Sequence, residues 1–182
     1  MPIKNQSSVV LRLLRLSDEA EFLINSVHSK KLYNSWVIVP TTKKEFKDYV
    51  AEMNSDANKA FAVVDVQTNA IAGVVELRDI FMYDFKNSYI TYYAFHQHLR
   101  KGFMKLGVLQ AIAIAFKELK LHRLEANIQP ENNASIALAK SCGFTKEGFS
   151  PKFIKKNGQW KDHERWALLK NNLRTTVQLH YL

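Results

Sequence analysis

The chain has 182 residues, 47% of them hydrophobic, which suits one domain folded around one core. Lys and Arg number 26 against 17 Asp and Glu, a net charge of +9 that favours an anionic partner. The basic residues are spread in pairs, such as Lys30-Lys31, Lys43-Lys44, Arg100-Lys101 and Lys155-Lys156. No block forms a nucleic-acid-binding tail, and a nucleic-acid partner is not expected.

The N-terminal stretch lacks the apolar run of a secretory signal. Val9 to Leu16 alternates as a first strand. Ser17, Asp18 and Glu19 then open a helix with a predicted inward face of Ala20, Leu23, Ile24 and Val27. After Pro40, Thr42 and Glu45 form a capping-box pattern. Phe46, Tyr49, Val50 and Met53 recur at the helical spacing of a second amphipathic helix. Phe61–Val66, Ile71–Ile80 and Tyr89–Phe95 read as strands. Phe103 to Leu119 is the longest helix, apolar on most sides. Its apolar-rich part, Phe103 to Phe116, is broken by Lys105 and Gln110 and is too short to span a bilayer, so no membrane partner is expected. Arg123–Gln129 is a strand, 132–141 a helix, and Phe144–Ile154 an extended segment. Asn157-Gly158 then turns a hairpin into a last strand ending near Leu169. The single cysteine, Cys142, cannot form an internal disulfide, which makes a reducing cytoplasm the expected compartment. One domain over 1–170 is expected, with 171–182 as a C-terminal tail.

The most telling stretch is Leu124 to Phe149. An apolar alternation (Leu124, Ala126, Ile128) stops at Pro130, which cannot donate to a ladder. Asn132 can cap the next helix, and Gly143 can take the left-handed stop before Phe144. This order of strand, asparagine-headed helix, Gly-Phe and strand resembles the GNAT superfamily of acetyl-CoA-dependent N-acetyltransferases. Within it, the stretch looks like the Rim-type group that acetylates N-terminal amines of ribosomal proteins. The resemblance implies an α/β (α+β) fold. Its central sheet would be mixed and mostly antiparallel, splayed at one parallel strand pair, with helices on both faces. It implies acetyl-CoA as co-substrate, no metal, and a monomer or homodimer.

The segment Thr91 to Gly107 lies where that family binds the cofactor pyrophosphate. The need there is a turn with backbone N–H groups aimed at phosphate and backed by a helix N-terminus. Arg100, Lys101, Gly102, Phe103, Met104 and Lys105 would supply it. The family's Arg/Gln-x-x-Gly-x-Gly/Ala places hold Leu99, Gly102 and Met104 here, and Arg100 stands where relatives often carry a second glycine. Upstream, Thr91-Tyr92-Tyr93-Ala94 stands in place of the family's Gly-Tyr-Trp-Leu. The resemblance therefore puts Tyr93, Ala94 and Phe95 along the pantetheine arm, with one N–H near the thioester oxygen.

Acetyl transfer needs a neutral amine, a proton acceptor and a proton for the leaving thiolate. Many GNAT relatives place a Tyr as thiolate acid where this chain has Ala139. The Rim-type pattern offers Ser135 instead, three residues after Asn132; Ser135 also reads as a small residue in a first helical turn. Glu125 and Glu76 are the candidate bases, although each reads more readily as a solvent-facing strand residue or as the partner of Arg123 or Arg78. His28, His122 and His163 show no metal-ligand spacing with one another or with Cys142.

Tyr33, Trp36 and Phe46 would wall the acceptor cleft. The positive charge suits an acidic ribosomal protein N-terminus and disfavours a polycationic acceptor. A small-molecule amine and a CoA-binding sensor or scaffold without turnover are the competing expectations.

Overall fold

The computed structural model describes residues 8–33 and 36–172, and the predicted tail lies outside the described residues from 173 onward. The elements run β1 (Val9–Leu13), α1 (Glu19–Tyr33), α2 (Lys43–Met53), β2 (Lys59–Asp65), β3 (Ile71–Phe81) and β4 (Asn87–Ala94). They continue with α3 (Phe103–Ala113), β5 (Arg123–Ile128), α4 (Asn133–Ser141), β6 (Thr145–Lys156) and β7 (Gln159–Leu169). The strands form one seven-stranded sheet in the order β1-β2-β3-β4-β5-β7-β6. Every neighbouring pair is antiparallel except β4 and β5. The expected mixed sheet with a single parallel pair is the sheet observed.

Local chemistry accounts for most boundaries. Thr42 accepts from the Glu45 N–H at 3.3 Å, and the Glu45 carboxylate accepts from the Thr42 N–H at 3.0 Å, so the box that starts α2 is closed. Phe46, Tyr49, Val50 and Met53 are all buried beneath it. Asn157 and Gly158 both adopt left-handed backbone (φ 49° and 79°), the geometry that lets a two-residue turn join β6 to β7. The last turn of the α3 helix, Ile114–Glu118, loosens into a π-turn.

The predicted inward face of α1 is corrected. Ile24 and Val27 are 57% and 54% exposed, and Phe22, Asn25, Ser26, Ser29 and Tyr33 are buried instead. The aromatic rings decide the rotation, because they bury the most area. The Phe22 ring lies 4.7 Å from Phe46 and edge-on to Phe95 at 5.6 Å, and Tyr33 stands edge-on to Tyr93 at 5.6 Å. The small Ser26 and Ser29 between them let the helix approach the sheet. The Ser29 hydroxyl accepts from the His96 N–H at 2.9 Å.

The sheet thus separates two cores. One, with Phe22, Phe46, Met53 and Tyr93, lies beneath α1 and α2. The other, with Val108, Ile112, Leu124, Ala139 and Trp166, lies beneath α3 and α4. Gln110 ties α3 to the edge strand, donating to the Val9 carbonyl at 2.9 Å and accepting from the Leu11 N–H at 2.8 Å. Among the described residues no helix is long and apolar enough to cross a membrane.

The parallel pair is short. Its register covers Asn87↔Arg123, Ser88↔Leu124 and Tyr89↔Glu125 and then stops, so β4 and β5 part over Ile90–Ala94 and Ala126–Ile128. Gly73 on β3 holds β4 close at the far end of this gap. A Cβ there would lie 2.4 Å from the Tyr93 carbonyl oxygen and 2.5 Å from the Met104 sulfur. Overpacking of this kind costs about 1–3 kcal/mol, or roughly 2–12 °C in Tm for a chain of this size. We expect Gly73→Ala to fall in that range by thermal denaturation and to lose CoA affinity in the same preparation. An unchanged Tm and unchanged affinity would show that β4 is not held by this contact.

Candidate active site

A cavity of about 430 Å³ opens where β4 and β5 part. Its walls combine three sets of residues. Thr91–Ala94 from β4 and Ala126–Gln129 from β5 line the gap. His98–Arg100 and Gly102–Lys105 close one end, and Leu32, Tyr33, Trp36 and Val37 close another. Asn132 and Ser135 at the start of α4, together with His163 on β7, complete it.

The β4 backbone has a definite polarity. Phe95 donates its N–H to the Ala72 carbonyl at 2.9 Å, continuing the Gly73↔Ala94 and Val74↔Tyr93 register. Alternation in an antiparallel ladder then commits the N–H groups of Phe95 and Tyr93 to β3 and points those of Ala94 and Tyr92 into the gap. Of the predicted trio, Ala94 offers a free amide to a thioester oxygen. Phe95 is fully buried, its amide is committed, and it does not line the cavity. Tyr93 contributes its side chain.

At the phosphate end, Gly102 is the N-cap of α3 with a left-handed backbone (φ 77°) and no side-chain cap. The first-turn N–H groups of a helix lack intrahelical acceptors, so those of Phe103, Met104 and Lys105 face the open turn. A Cβ on Gly102 would meet nothing within 4 Å, which leaves the approach clear for a phosphate group. Arg100 also adopts left-handed backbone, φ 60°. It takes the conformation that a glycine would take there at less cost. The exposed Arg100, Lys101 and Lys105 add positive charge. The His98 Nδ1 is buried beside them without a hydrogen-bond partner among the described residues. These residues fit a polyphosphate.

Asn132 caps α4 as expected, its Oδ1 accepting from the Ser135 N–H at 3.2 Å. Tyr92 donates its hydroxyl to the Ser135 carbonyl at 2.9 Å, fixing the first turn of α4 against β4. Ser135 lines the cavity. Cys142 does not: it is buried, and burial pushes its thiol up to about 11, so it is an inert core residue.

Neither predicted carboxylate lines the cavity. Glu125 is held by Arg123, whose Nε donates at 2.7 Å and whose other nitrogens grip Glu147. It sits at the level where β4 and β5 are still hydrogen-bonded. Glu76 is 2% exposed. Arg78 Nε donates to it at 2.6 Å and the Tyr49 hydroxyl at 2.5 Å, while Tyr49 and Tyr93 hydroxyls lie 3.2 Å apart. Glu76 therefore reaches the cavity only through two tyrosines. Burial foremost holds the phenols of Tyr49 and Tyr93 well above their ordinary range, so both stay protonated. Of the predicted acceptor walls, Tyr33 and Trp36 line the cavity and Phe46 is core. Among the described residues no group of three or more His, Cys, Asp or Glu is placed to hold a metal.

The residue that sequence reasoning passed over is His163. It is 2% exposed and lines the cavity from β7. The alternation of β7, with Trp166 and Leu168 inward beneath α4, placed His163 on the opposite face from them. That was the available signal.

A sheet that splits at one parallel pair, with a helix-headed anion turn at one end, defines a class of enzymes that move an acyl group from a coenzyme A thioester. The comparisons make the class specific. Residues 8–145 match the family described as Acetyltransferase (GNAT) domain. A probable N-acetyltransferase of Bacillus subtilis (strain 168), YjcK, is 32% identical over 136 residues, 75% of each chain. The ribosomal protein uS5-alanine N-acetyltransferase of Escherichia coli (strain K12) is 31% identical over 108 residues, 59% of this chain and 56% of that one. The crystal structure of spermidine N-acetyltransferase from Vibrio cholerae with CoA and spermine superposes with a TM-score of 0.79 at 25% identity. That match covers 92% of this chain and 99% of the other. The chain belongs to the GNAT acetyltransferase family, and it is an N-acetyltransferase that uses acetyl-CoA.

We expect Gly102→Val to weaken CoA binding roughly 5–30-fold by calorimetry, because a left-handed backbone costs a β-branched residue about 1–2 kcal/mol. Lys101→Ala should cost less, a solvated charge being worth about 1 kcal/mol or less. Equal affinity in wild type and Gly102→Val would remove the phosphate from this turn.

Proposed function

We propose that the acceptor is the N-terminal amine of a protein, with an acidic ribosomal protein as the best-suited class. The supporting observation is the chemistry of the cavity wall. Among its described residues no carboxylate appears, while Arg100, Lys105, His98 and His163 do. A polyamine carries several positive charges and would need carboxylates along its length. An α-amine carries one charge, and Leu32, Tyr33, Trp36 and Val37 offer it apolar and aromatic walls. The net charge of +9 favours an acidic body behind that amine. The uS5-alanine N-acetyltransferase relative points the same way, and the spermidine N-acetyltransferase neighbour keeps a small amine as the second reading.

In this reading acetyl-CoA supplies the acetyl group as a thioester whose carbonyl carbon is open to attack. The turn of Arg100–Lys105 holds the phosphates. The Tyr92 and Ala94 backbone steadies the extended arm, with the Ala94 N–H directed at the carbonyl oxygen. Attack by the amine expels the thiolate, and Ser135 donates a hydrogen bond to the sulfur. The amine and the thioester meet in one ternary complex, with Cys142 too deeply buried to carry the acetyl group. Glu125 and Glu76 position structure in this scheme, the first through Arg123 and the second through Tyr49.

Thiol release across an amine panel tests the acceptor class. We expect kcat/KM for an acidic peptide with a free Ala or Ser N-terminus to exceed that for spermidine at least tenfold. The reverse preference would overturn the protein reading, and no thiol release with any amine would favour a sensor or scaffold. Ser135→Ala should lower kcat by on the order of 10–1000-fold with little change in KM for acetyl-CoA. An unchanged kcat would return Ser135 to its role in the first turn of α4.

A further inference from the structure

We propose that His163 is the general base that takes the proton from the acceptor amine. This rests on reading the cavity as the site of amine acetylation.

Pairing of β5 with β7 runs Glu125↔Ala167, Asn127↔Arg165 and Ile128↔Glu164, and His163 follows just past the end of β5. Strand alternation puts His163, Arg165 and Ala167 on one face, and Trp166 and Leu168 on the other, in the core beneath α3 and α4. The His163 face is the one that carries Tyr93 on β4, beneath α1 and α2. It is also the face from which Tyr33, Trp36 and Val37 wall the cavity. Ser135 enters from the α4 side. An amine entering past Trp36 and a thioester lying along β4 therefore meet with His163 on the amine's side and Ser135 on the sulfur's side.

His163 Nδ1 lies 2.9 Å from the Lys161 carbonyl oxygen. A carbonyl can only accept, so Nδ1 carries the proton and Nε2 presents a lone pair. Among the described residues Nε2 has no hydrogen-bond partner. The Phe153 ring stands edge-on to the imidazole at 6.2 Å and restricts its rotation. This is the arrangement a general base requires: one nitrogen anchored by backbone, the other bare in the cleft.

Burial foremost, and Lys156 on β6, lower the His163 pKa below its ordinary value. The Lys161 carbonyl, Asp162 and Glu131 act in the opposite sense. A lowered pKa leaves the ring neutral at neutral pH, ready to accept. The rival acceptor on the wall, His98, lies at the phosphate end beside Gly102. Glu76 and Glu125 are engaged by Arg78 and Arg123 off the cavity.

Nε2 takes one proton from the ammonium, and the freed lone pair forms the C–N bond to the acetyl carbon. The C–S bond breaks with its electron pair on sulfur. The second amine proton passes to the thiolate by way of the Ser135 hydroxyl, and the imidazolium returns its proton to solvent. Amide, free thiol and one proton result.

The test is the pH profile of kcat/KM for the acceptor peptide in wild type, His163→Asn and His163→Gln. Asn retains an N–H for the Lys161 carbonyl and lacks a base, so it separates catalysis from packing. In wild type the bound ammonium is deprotonated by the ring, so the acid limb should fall below about 6.5, the ordinary histidine value. In the variants the amine must arrive neutral, and the limb should move up to about 7.7–8.0. Activity at pH 7 should drop on the order of 100-fold or more, and the gap should narrow above pH 8. CoA affinity should be unchanged. If wild type turns over and both variants keep its acid limb, His163 is not the base. If wild type releases no thiol with any amine, the acetylation reading fails and the base falls with it.

Discussion

Everything at the site depends on the parting of β4 from β5 after Tyr89↔Glu125. Two parallel strands that stayed paired would consume the amides of Tyr92 and Ala94 and leave no space between them. The strands part because each is held elsewhere. β4 is pinned to β3 through Gly73, where backbone meets backbone with no room for a Cβ. β5 is carried away by its continuous antiparallel pairing with β7 from Arg123↔Leu169 to Ile128↔Glu164. The gap then has unsatisfied amides on one wall, and an unsatisfied backbone group away from water needs a partner. An extended polar arm lying in the gap would provide one. The same opening brings two helix starts, those of α3 and α4, to its ends.

Glu76 shows how a buried carboxylate can serve a site without entering it. Its two oxygens are satisfied by Arg78 and Tyr49, and Tyr49 in turn meets Tyr93 in the cavity wall. Tyr49 donates towards Glu76, and its oxygen is free to accept from Tyr93. The chain of hydroxyls fixes the floor of the acceptor side from behind. Removing the carboxylate would take the buried counter-charge from a half-buried Arg78, which makes Glu76 primarily a structural residue. Arg78 also holds Glu52 of α2 at 2.9 Å, so the same guanidinium joins the helix to the sheet.

Much of this was legible in the sequence where the signal is local. The Thr42–Glu45 box, the Asn132 cap and the Asn157-Gly158 turn each depend on residues within one turn of chain, and each appears as expected. So does the order of strands and helices, because apolar periodicity is a short-range property. The rotation of α1 was not legible. Ala20, Leu23, Ile24 and Val27 make a tidy stripe, but Phe22 and Tyr33 bury more area and turn the helix towards Phe46, Phe95 and Tyr93, partners far along the chain. The roles of the carboxylates were hidden for the same reason. Arg123 sits two residues from Glu125 on the same strand face, so the ion pair was readable, yet whether that face looked into the cavity depended on where β4 and β5 part. The alternation of β7 set the face of His163, but its place just past the end of β5 required the β5–β7 register, which no local pattern supplies. Arg100 fills a place where relatives carry glycine, and only the backbone shows that it adopts the glycine conformation.

Residue-resolved amide exchange with and without CoA tests the central claim most directly, because it reads the β4 backbone and not the side chains. Tyr93 and Phe95 should exchange slowly in both states, being bonded to β3. Tyr92 and Ala94 should exchange faster in the free protein and become protected when CoA binds, together with Phe103, Met104 and Lys105 at the head of α3. Protection that leaves Tyr92 and Ala94 unchanged while CoA is bound would contradict it, and would place the coenzyme outside the gap between β4 and β5.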